Sequence, residues 1–189
     1  ALKTFDPPTS ALAGQVIGTV TRHGKFLDIP IGELHLIIHL ARAGWIRWRE
    51  GAPVQSGRPG KGPLAARLVL DDGSGLDITE AGTKKSLAIY VVRRPADVPG
   101  IARLGPDPLD ETFTEKAFAD ILTAAGRAQI KGVLRNQSII AGIGNAYSDE
   151  ILHAARMSPF KPASMPPDDI SRLYEAMQLT LRGAISRAD

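Results

Sequence analysis

Residues 129–152 read QIKGVLRNQSIIAGIGNAYSDEIL, and they are the most informative stretch of the chain. Gly142 and Gly144 let the backbone turn sharply and approach another molecule closely. Asn145 lies where a helix is expected to begin, and a helix start offers unpaired N–H groups and the positive end of the helix dipole. A phosphate would fit there, with the Asn145 amide as a further donor and Lys131 as added charge. A tight turn with an ordinary helix cap would use the same residues, so the residues alone leave both interpretations open.

Around this stretch the sequence has a helical period. Thr114 is expected to cap a helix over Glu115–Ala124. Three more helices are predicted, over Gln129–Arg135, over Ala146–Ala155 and from Pro166–Asp169 onwards. Residues 111–189 are therefore predicted to form an all-α domain.

The part of the chain before residue 104 has the pattern of strands. Short apolar segments are bounded by turn residues, and seven strands are predicted, at Gln15–Val20, Lys25–Ile29, Leu34–Leu40, Trp45–Trp48, Ala65–Leu70, Leu76–Glu80 and Leu87–Val92. Asp71–Gly75 supplies the glycines that a hairpin turn needs. Residues 51–63 hold Gly, Pro and Ser and predict a mobile loop. Strands at this spacing favour an antiparallel sheet or sandwich.

The segment Leu104-Gly-Pro-Asp-Pro-Leu109 interrupts both patterns, because two prolines and a glycine suit neither a helix nor a central strand. We therefore place a linker over residues 104–110, between a partial β-sandwich over residues 1–103 and the helical domain over residues 111–189. The predicted fold class is α+β, an incomplete antiparallel β-sandwich followed by an all-α domain.

Composition excludes several classes of protein. The 189 residues include no cysteine, which excludes disulfides, thiolate metal sites and cysteine nucleophiles. No apolar run is long enough for a membrane span and no signal peptide is recognisable, so a cytoplasmic protein with no membrane partner is expected. The segment from Arg22 to Lys61 contains seven Lys and Arg residues and three Asp and Glu residues, a surplus of positive charge. Nucleic-acid binding would use such a surplus, and a solvated loop would also show it.

Several segments together resemble the formamidopyrimidine-DNA glycosylase / endonuclease VIII family and its helix-two-turn-helix region. The family has a lysine-bearing helix, an Asn-Gln pair, Ala-Gly-x-Gly-Asn-x-Tyr and Glu-x-Leu. The matching residues here are Lys131, Asn136-Gln137, Ala141–Tyr147 and Glu150–Leu152, with further matches at Arg22–Leu27, Ile38–Gly44 and Leu104–Leu109. The resemblance runs in order over about residues 15–187.

The resemblance implies a bifunctional base-excision repair enzyme, a DNA glycosylase and abasic-site lyase for 8-oxoguanine and formamidopyrimidines, with damaged or abasic double-stranded DNA as its partner. The residues it implies in DNA binding are Lys25, His39, Lys131, Gly144, Asn145 and Tyr147. Arg42, Lys84 and Lys85 are further candidates for DNA binding, at positions where the sequence departs from the family pattern. Simpler roles remain open for some of them. His39 would also fit as a core histidine with its hydrogen bonds satisfied, and Lys25 as a solvent-facing lysine. Tyr147 would also serve in packing, and Lys84 and Lys85 would also occur in a solvated turn.

Three departures from the family pattern bear on the chemistry. Family members begin Pro-Glu, and the proline amine is the nucleophile, whereas this sequence begins Ala1-Leu2. We therefore expect no catalytic residue here, and DNA binding with impaired catalysis. The family's four-cysteine zinc finger has no counterpart, so no metal or other cofactor is expected. Arg42 stands where the family usually has Met, and Thr79–Lys85 replaces its Asp-Pro-Arg-Arg-Phe-Gly loop, which leaves lesion preference unspecified.

Alternative functions follow from these departures. The chain would be the core of a longer glycosylase, or a natural short paralogue that binds damaged DNA without catalysis. A structural or protein-interaction remnant, or an RNA-associated helix-two-turn-helix protein, is a third possibility. The upstream reading frame would identify the core of a longer glycosylase. A preference for structured RNA over abasic duplex would favour the RNA-associated protein, and no nucleic-acid affinity at low salt would favour the remnant. No oligomeric state is predicted.

Overall fold

A computed structural model describes residues 1–51 and 62–187. The chain divides into two compact units. The first unit comprises residues 1–22 and 26–98, and the second comprises residues 23–25 and 99–189. Most of the loop predicted over residues 51–63 lies outside the described residues.

The first unit is built from two antiparallel sheets. Its strands are β1 (Thr21–His23), β2 (Phe26–Ile31), β3 (Leu34–His39), β4 (Gly44–Arg49), β5 (Leu64–Val69), β6 (Gly75–Glu80) and β7 (Ala88–Val92). One sheet has the order β1-β2-β3-β7 and the other has the order β4-β6-β5. The Asp71–Gly75 turn joins the antiparallel pair β5 and β6, as predicted.

The two sheets share one apolar core. Ile31 and Ile38 of the first sheet are buried in the same cluster as Ile78 of the second sheet. In β6, Ile78 and Leu76 face this core, and the alternation of a strand puts Asp77 on the opposite face. Antiparallel sheets sharing a core, together with the helices described below, confirm the predicted α+β class.

The strand predicted at Gln15–Val20 is wrong. This segment contacts β2 through the backbone, with Gly18 donating to the carbonyl of Pro30 (2.8 Å) and Gly32 donating to that of Val16 (2.9 Å). Pro30 has no N–H to complete a ladder with it, so regular pairing does not develop. The first strand, β1, lies just beyond this segment.

The second unit holds five helices among its described residues: α1 (Pro99–Ala102), α2 (Glu115–Ala125), α3 (Ile130–Arg135), α4 (Asn145–Ala154) and α5 (Pro167–Ser186). Thr114 caps α2 as predicted, since its hydroxyl accepts from the N–H of Ala117 at 3.1 Å. The apolar faces of the helices meet in one core, in which Phe118, Leu134 and Leu173 are fully buried. No helix in the described part of the chain is long and apolar enough to cross a membrane.

The segment predicted as a linker packs on the turn between α3 and α4. Gly105 donates to the carbonyl of Gln137 (2.8 Å), and Ala141 donates to the carbonyl of Pro106 (3.0 Å). A side chain at position 105 would collide with the carbonyl of Ile139. Glycine is required there because two backbone segments approach closely.

Candidate nucleic-acid interface

The turn before α4 is braced by the side chain of Gln137. Its amide nitrogen donates to the carbonyls of Arg135 (2.9 Å) and Ile143 (2.8 Å), and its amide oxygen accepts from the N–H of Gly142 (3.0 Å). Gly142 has a φ of +91°, which favours glycine. One neutral amide thus fixes the path of the chain into α4.

Helix α4 begins at Asn145, which confirms the predicted helix start. Its first intrahelical bond runs from the N–H of Ser148 to the carbonyl of Gly144 (3.0 Å), and the buried Ser148 hydroxyl donates to the carbonyl of Asn145 (2.7 Å). The earlier N–H groups of the helix have no intrahelical acceptor. Because Asn145 is exposed, this positive helix end is open to solvent.

Lys25 lies directly against this helix start. A Cβ atom built on Gly144 would come within 3.3 Å of the Lys25 Nζ atom, so glycine permits the close approach. Burial lowers the pKa of Lys25 from its usual value, and the positive charge of Arg135 lowers it further. No acceptor for the Lys25 ammonium occurs among residues 1–51 and 62–187. Two cations and a helix N-terminus therefore converge, which is the arrangement that binds an anion.

The other two predicted residues of the second unit differ from Lys25. The ammonium of Lys131 pairs with a carboxylate oxygen of Asp149 at 2.6 Å, so its charge is already partly compensated. Tyr147 in the first turns of α4 is 37% exposed and presents part of its ring to solvent. The structure thus brings Lys25, Gly144 and Asn145 together and pairs Lys131 elsewhere.

His39 ends β3 and is half-buried. Its ring contacts that of Phe26, with centroids 4.7 Å apart. The Nδ1 atom accepts from the N–H of Ala41 at 3.3 Å, an arrangement that puts the proton of the neutral ring on Nε2.

Arg42 and the Thr79–Lys85 loop lie at the same end of the second sheet, because Gly44 pairs with Glu80 in the register of β4 and β6. Arg42 is exposed in the turn between β3 and β4. Lys84 is also exposed, whereas the ammonium of Lys85 donates to the backbone carbonyl of Glu80. Arg42, Lys84 and Lys85 therefore lie at one end of the sheet, and the loop itself supplies the acceptor for Lys85.

Glu80 organises this loop from inside, a role that was not predicted from the sequence. Its carboxylate is buried and accepts from the N–H groups of Ser86 (2.6 Å) and Leu87 (2.8 Å). Burial raises the pKa of Glu80, but these hydrogen bonds and the charge of Lys85 outweigh it, so the pKa is lowered overall. The available signal was the strand alternation, which puts Glu80 on the same face as Ile78.

No cluster of three or more His, Asp or Glu side chains within residues 1–51 and 62–187 could hold a metal ion. The whole chain has no cysteine, so it offers no ligand set for the zinc finger that the resemblance implies. The absence of a metal requirement stays a prediction.

Family models match most of the chain. The formamidopyrimidine-DNA glycosylase N-terminal domain matches residues 2–84, and the formamidopyrimidine-DNA glycosylase H2TH domain matches residues 104–189. The formamidopyrimidine-DNA glycosylase of Moorella thermoacetica is 36% identical over 189 residues, a match that covers 96% of this chain and 65% of the relative. That of Symbiobacterium thermophilum is 34% identical and the match covers 96% and 59%. The chain thus spans less than two thirds of the length of these curated relatives.

Solved structures agree with these matches. The crystal structure of the MutM (Fpg) protein from Thermus thermophilus superposes with a TM-score of 0.77 at 34% identity, covering 94% of this chain and 64% of that one. The complex of the Lactococcus lactis Fpg with DNA containing an abasic site gives a TM-score of 0.80 at 27% identity, covering 96% and 65%. The Thermus thermophilus structure is therefore similar to this chain in sequence as well as in fold.

Proposed function

Because this chain belongs to the formamidopyrimidine-DNA glycosylase family, we propose that it binds damaged or abasic double-stranded DNA as part of a base-excision repair glycosylase. A solved relative, the Lactococcus lactis Fpg, forms a complex with DNA containing an abasic site. Oxidised purines, 8-oxoguanine and formamidopyrimidine, are the lesion class that the family resemblance suggests. Abasic-site lyase activity of the whole protein belongs to the same proposal.

The observation that carries the proposal is the approach of Lys25 to the start of α4. The ammonium group, the exposed N–H groups and the Asn145 amide are all donors, and Arg135 adds positive potential. A phosphate oxygen would give the Lys25 ammonium the acceptor that the described residues do not provide. Its negative charge would also offset the repulsion from Arg135 that lowers the pKa of Lys25. Phosphate binding is therefore favoured both by the hydrogen bond to Lys25 and by this charge compensation.

The first unit would add contacts of the same chemical kind. The imidazole of His39 is of a chemical type that contacts phosphate, and the guanidinium of Arg42 suits a phosphate or the vacancy left by an extruded base. Lys84 is exposed, so its ammonium would attract the DNA backbone through an interaction that salt screens. Such contacts position the duplex and carry no base sequence information.

Binding to a duplex with one abasic site tests this site. Lys25→Ala is expected to weaken binding about 5- to 10-fold and to reduce the slope of log K against log salt by about 0.9, the value for one phosphate contact. Asn145→Asp is expected to weaken binding at least as much, because it adds a negative charge without adding volume. The same factors are expected on undamaged duplex.

Lys116→Ala is the matched control, since Lys116 is an exposed lysine of the second unit paired with Asp120. If Lys25→Ala and Asn145→Asp both bind abasic duplex like Lys116→Ala, the phosphate site is wrong. Circular dichroism of each variant separates loss of binding from loss of fold.

We further expect residues 1–189 by themselves not to complete the glycosylase reaction, because no position matches the family's proline nucleophile. Borohydride trapping on abasic duplex tests this. An amine that attacks the sugar aldehyde loses water to form an imine, which borohydride reduces to a stable amine. Binding without a trapped adduct is the expected result and also fits a non-catalytic damaged-DNA-binding paralogue. A trapped adduct would contradict it and would point to Ala1 or a lysine.

A further inference from the structure

Strand β4 has the sequence Gly44-Trp-Ile-Arg-Trp-Arg49 and forms one edge of its sheet. Trp45 is 64% exposed and Trp48 is 57% exposed. These are the only two tryptophans of the chain. Two exposed indoles beside two arginines on an edge strand are not explained by packing of the core.

The register of the sheet separates these residues by face. Ile46 packs against the core cluster of the first unit, so Trp45, Arg47 and Arg49 lie on the opposite face. Arg49 confirms this direction, because its Nε atom donates to a carboxylate oxygen of Asp77 at 3.0 Å. We call Trp45, Arg47 and Arg49 the β4 outer row.

The charge of this face is positive after its internal pairing. The buried carboxylate of Asp77 accepts from Arg49 and takes two hydrogen bonds from Arg67, at 2.5 and 2.9 Å. Three guanidinium groups, counting Arg47, therefore face one carboxylate, which leaves two positive charges. Arg47 lies opposite Asp77 in the register but has no acceptor within residues 1–51 and 62–187. Asp77 orders its two arginine partners, and Arg47 remains available to a ligand.

We propose that the β4 outer row binds single-stranded DNA, with one base stacked on Trp45 and the adjacent phosphates on Arg47 and Arg49. An exposed aromatic ring beside cations is the recurrent arrangement for unpaired nucleic acid, because every base has a face that stacks and every nucleotide has a phosphate. A paired duplex would not present a free base to the ring. A second copy of the chain would bring two positive rows together, which disfavours self-association.

This surface is distinct from the helix-start site formed by Lys25, Gly144 and Asn145. Within the first unit it continues from the turn that carries Arg42, three residues before Trp45. The occupant that this row fits is an unpaired DNA strand. The proposal holds whether or not the helix-start site binds a phosphate.

Intrinsic fluorescence gives a direct test, because each face of β4 has its own tryptophan. The Trp48→Phe variant retains Trp45 as its only indole, and the Trp45→Phe variant retains Trp48. Titration with oligo-dT is expected to quench Trp48→Phe and to leave Trp45→Phe nearly unchanged. Equal quenching of the two variants, or quenching of neither, would overturn the stacking proposal.

Binding affinities provide the second measurement. Trp45→Ala is expected to weaken oligo-dT binding about 5- to 10-fold, and Arg47→Ala to reduce the slope of log K against log salt by about 0.7. Arg93→Ala is the matched control, since Arg93 is an exposed arginine of the same unit at 3.7 Å from Asp6. Arg47→Ala behaving like Arg93→Ala would overturn the phosphate contact.

The two proposed sites can fail separately. Trp45→Ala and Arg47→Ala are expected to bind a blunt abasic duplex within about 2-fold of the unchanged protein, while Lys25→Ala keeps its affinity for oligo-dT. If Lys25→Ala loses affinity for the duplex and keeps its affinity for oligo-dT, the two sites are separate. A monomer–dimer equilibrium in sedimentation that Trp45→Ala abolishes, without quenching by oligo-dT, would show that another copy occupies the row.

Discussion

The two units bury different polar groups. In the first unit, three carboxylates are buried: Asp28 pairs with His35 (2.8 Å), Asp77 holds arginines of β4 and β5, and Glu80 holds the loop after β6. In the second unit, the turn before α4 is held by the neutral amide of Gln137, and the buried polar side chain among its described residues is Ser148.

This difference bears on where positive charge remains available. A carboxylate in the turn before α4 would pair with Lys25 or Arg135 and compensate the field that a phosphate needs. The amide of Gln137 satisfies the same backbone groups without adding charge. In the first unit, Asp77 offsets one of the two charges of its arginine partners, so this face keeps two positive charges when Arg47 is counted. Neutral bracing is therefore expected where an anion binds.

The largest expected effect is at Gln137. Gln137→Ala removes three hydrogen bonds at about 1 kcal/mol each and should lower the free energy of unfolding of the second unit by about 3 kcal/mol. Because the five α-helices lie in the second unit, far-UV circular dichroism follows its unfolding. Binding to abasic duplex should fall as well, since the path into α4 is no longer fixed.

Gln178→Ala is the matched control, because Gln178 donates one hydrogen bond to the carbonyl of Pro108 at 2.6 Å and otherwise accepts only an exposed one from Arg182 at 3.2 Å. It should cost about 1 kcal/mol. Gln137→Glu sharpens the comparison: it keeps the shape, loses the two donated hydrogen bonds and adds a negative charge to the turn before α4. Equal stability of Gln137→Ala and Gln178→Ala would contradict the bracing role.

The next effect is at Asp77 in the first unit. The hydrogen bond from Arg67, opposed by burial and assisted by Arg49, lowers the pKa of Asp77 from 3.8 to about 2. A depressed pKa stabilises the folded state above pH 3.8, and this stabilisation is lost as the pH falls towards 2. Asp77→Asn should therefore cost about 2 kcal/mol at neutral pH and progressively less below pH 3.8.

Tryptophan fluorescence follows this unit, because both indoles lie in β4. Asp6→Asn serves as the control, since Asp6 lies in the same unit, forms an exposed pair with Arg93 at 3.7 Å and should leave stability nearly unchanged. A stability difference for Asp77→Asn that stays constant between pH 6 and 2 would show that ionisation of Asp77 is not its source.

Local sequence signals predicted what local interactions decide. Thr114 as a helix cap and Asn145 as a helix start both follow from neighbouring residues, and both are confirmed. Features that depend on distant partners were missed. The pairing that fails at Pro30 depends on which strand meets residues 15–20, and the buried position of Glu80 depends on how β6 packs.

The same limit applies to the candidate site. The sequence and the family resemblance picked out Lys25, Gly144 and Asn145, which the structure brings together. The ion pair between Lys131 and Asp149 and the positive charge of Arg135 beside Lys25 depend on tertiary contacts that no motif records. The roles of all the predicted DNA contacts stay predictions until binding is measured.

The smallest effect compares one backbone feature in both units. Helix α4 ends in a Schellman motif, with Arg156 donating to His153 (3.0 Å) and Met157 donating to Leu152 (2.9 Å). Arg156 occupies the position that favours glycine, with a φ of +50°, and Ala41 in the first unit has a φ of +55°. Arg156→Gly should therefore stabilise the second unit by about 0.5–1 kcal/mol.

Two further variants give this prediction its controls. Arg156→Ala keeps a Cβ atom in the left-handed conformation and should give little of this gain, which separates backbone strain from loss of charge. Ala41→Gly should give a similar gain in the first unit, followed by tryptophan fluorescence rather than by circular dichroism. If Arg156→Ala stabilises as much as Arg156→Gly, the arginine side chain and not its backbone is the source. If Arg156→Gly raises stability only by circular dichroism and Ala41→Gly raises it only by fluorescence, the two units unfold separately. The stability measurements on the Gln137 and Asp77 variants assume such separate unfolding.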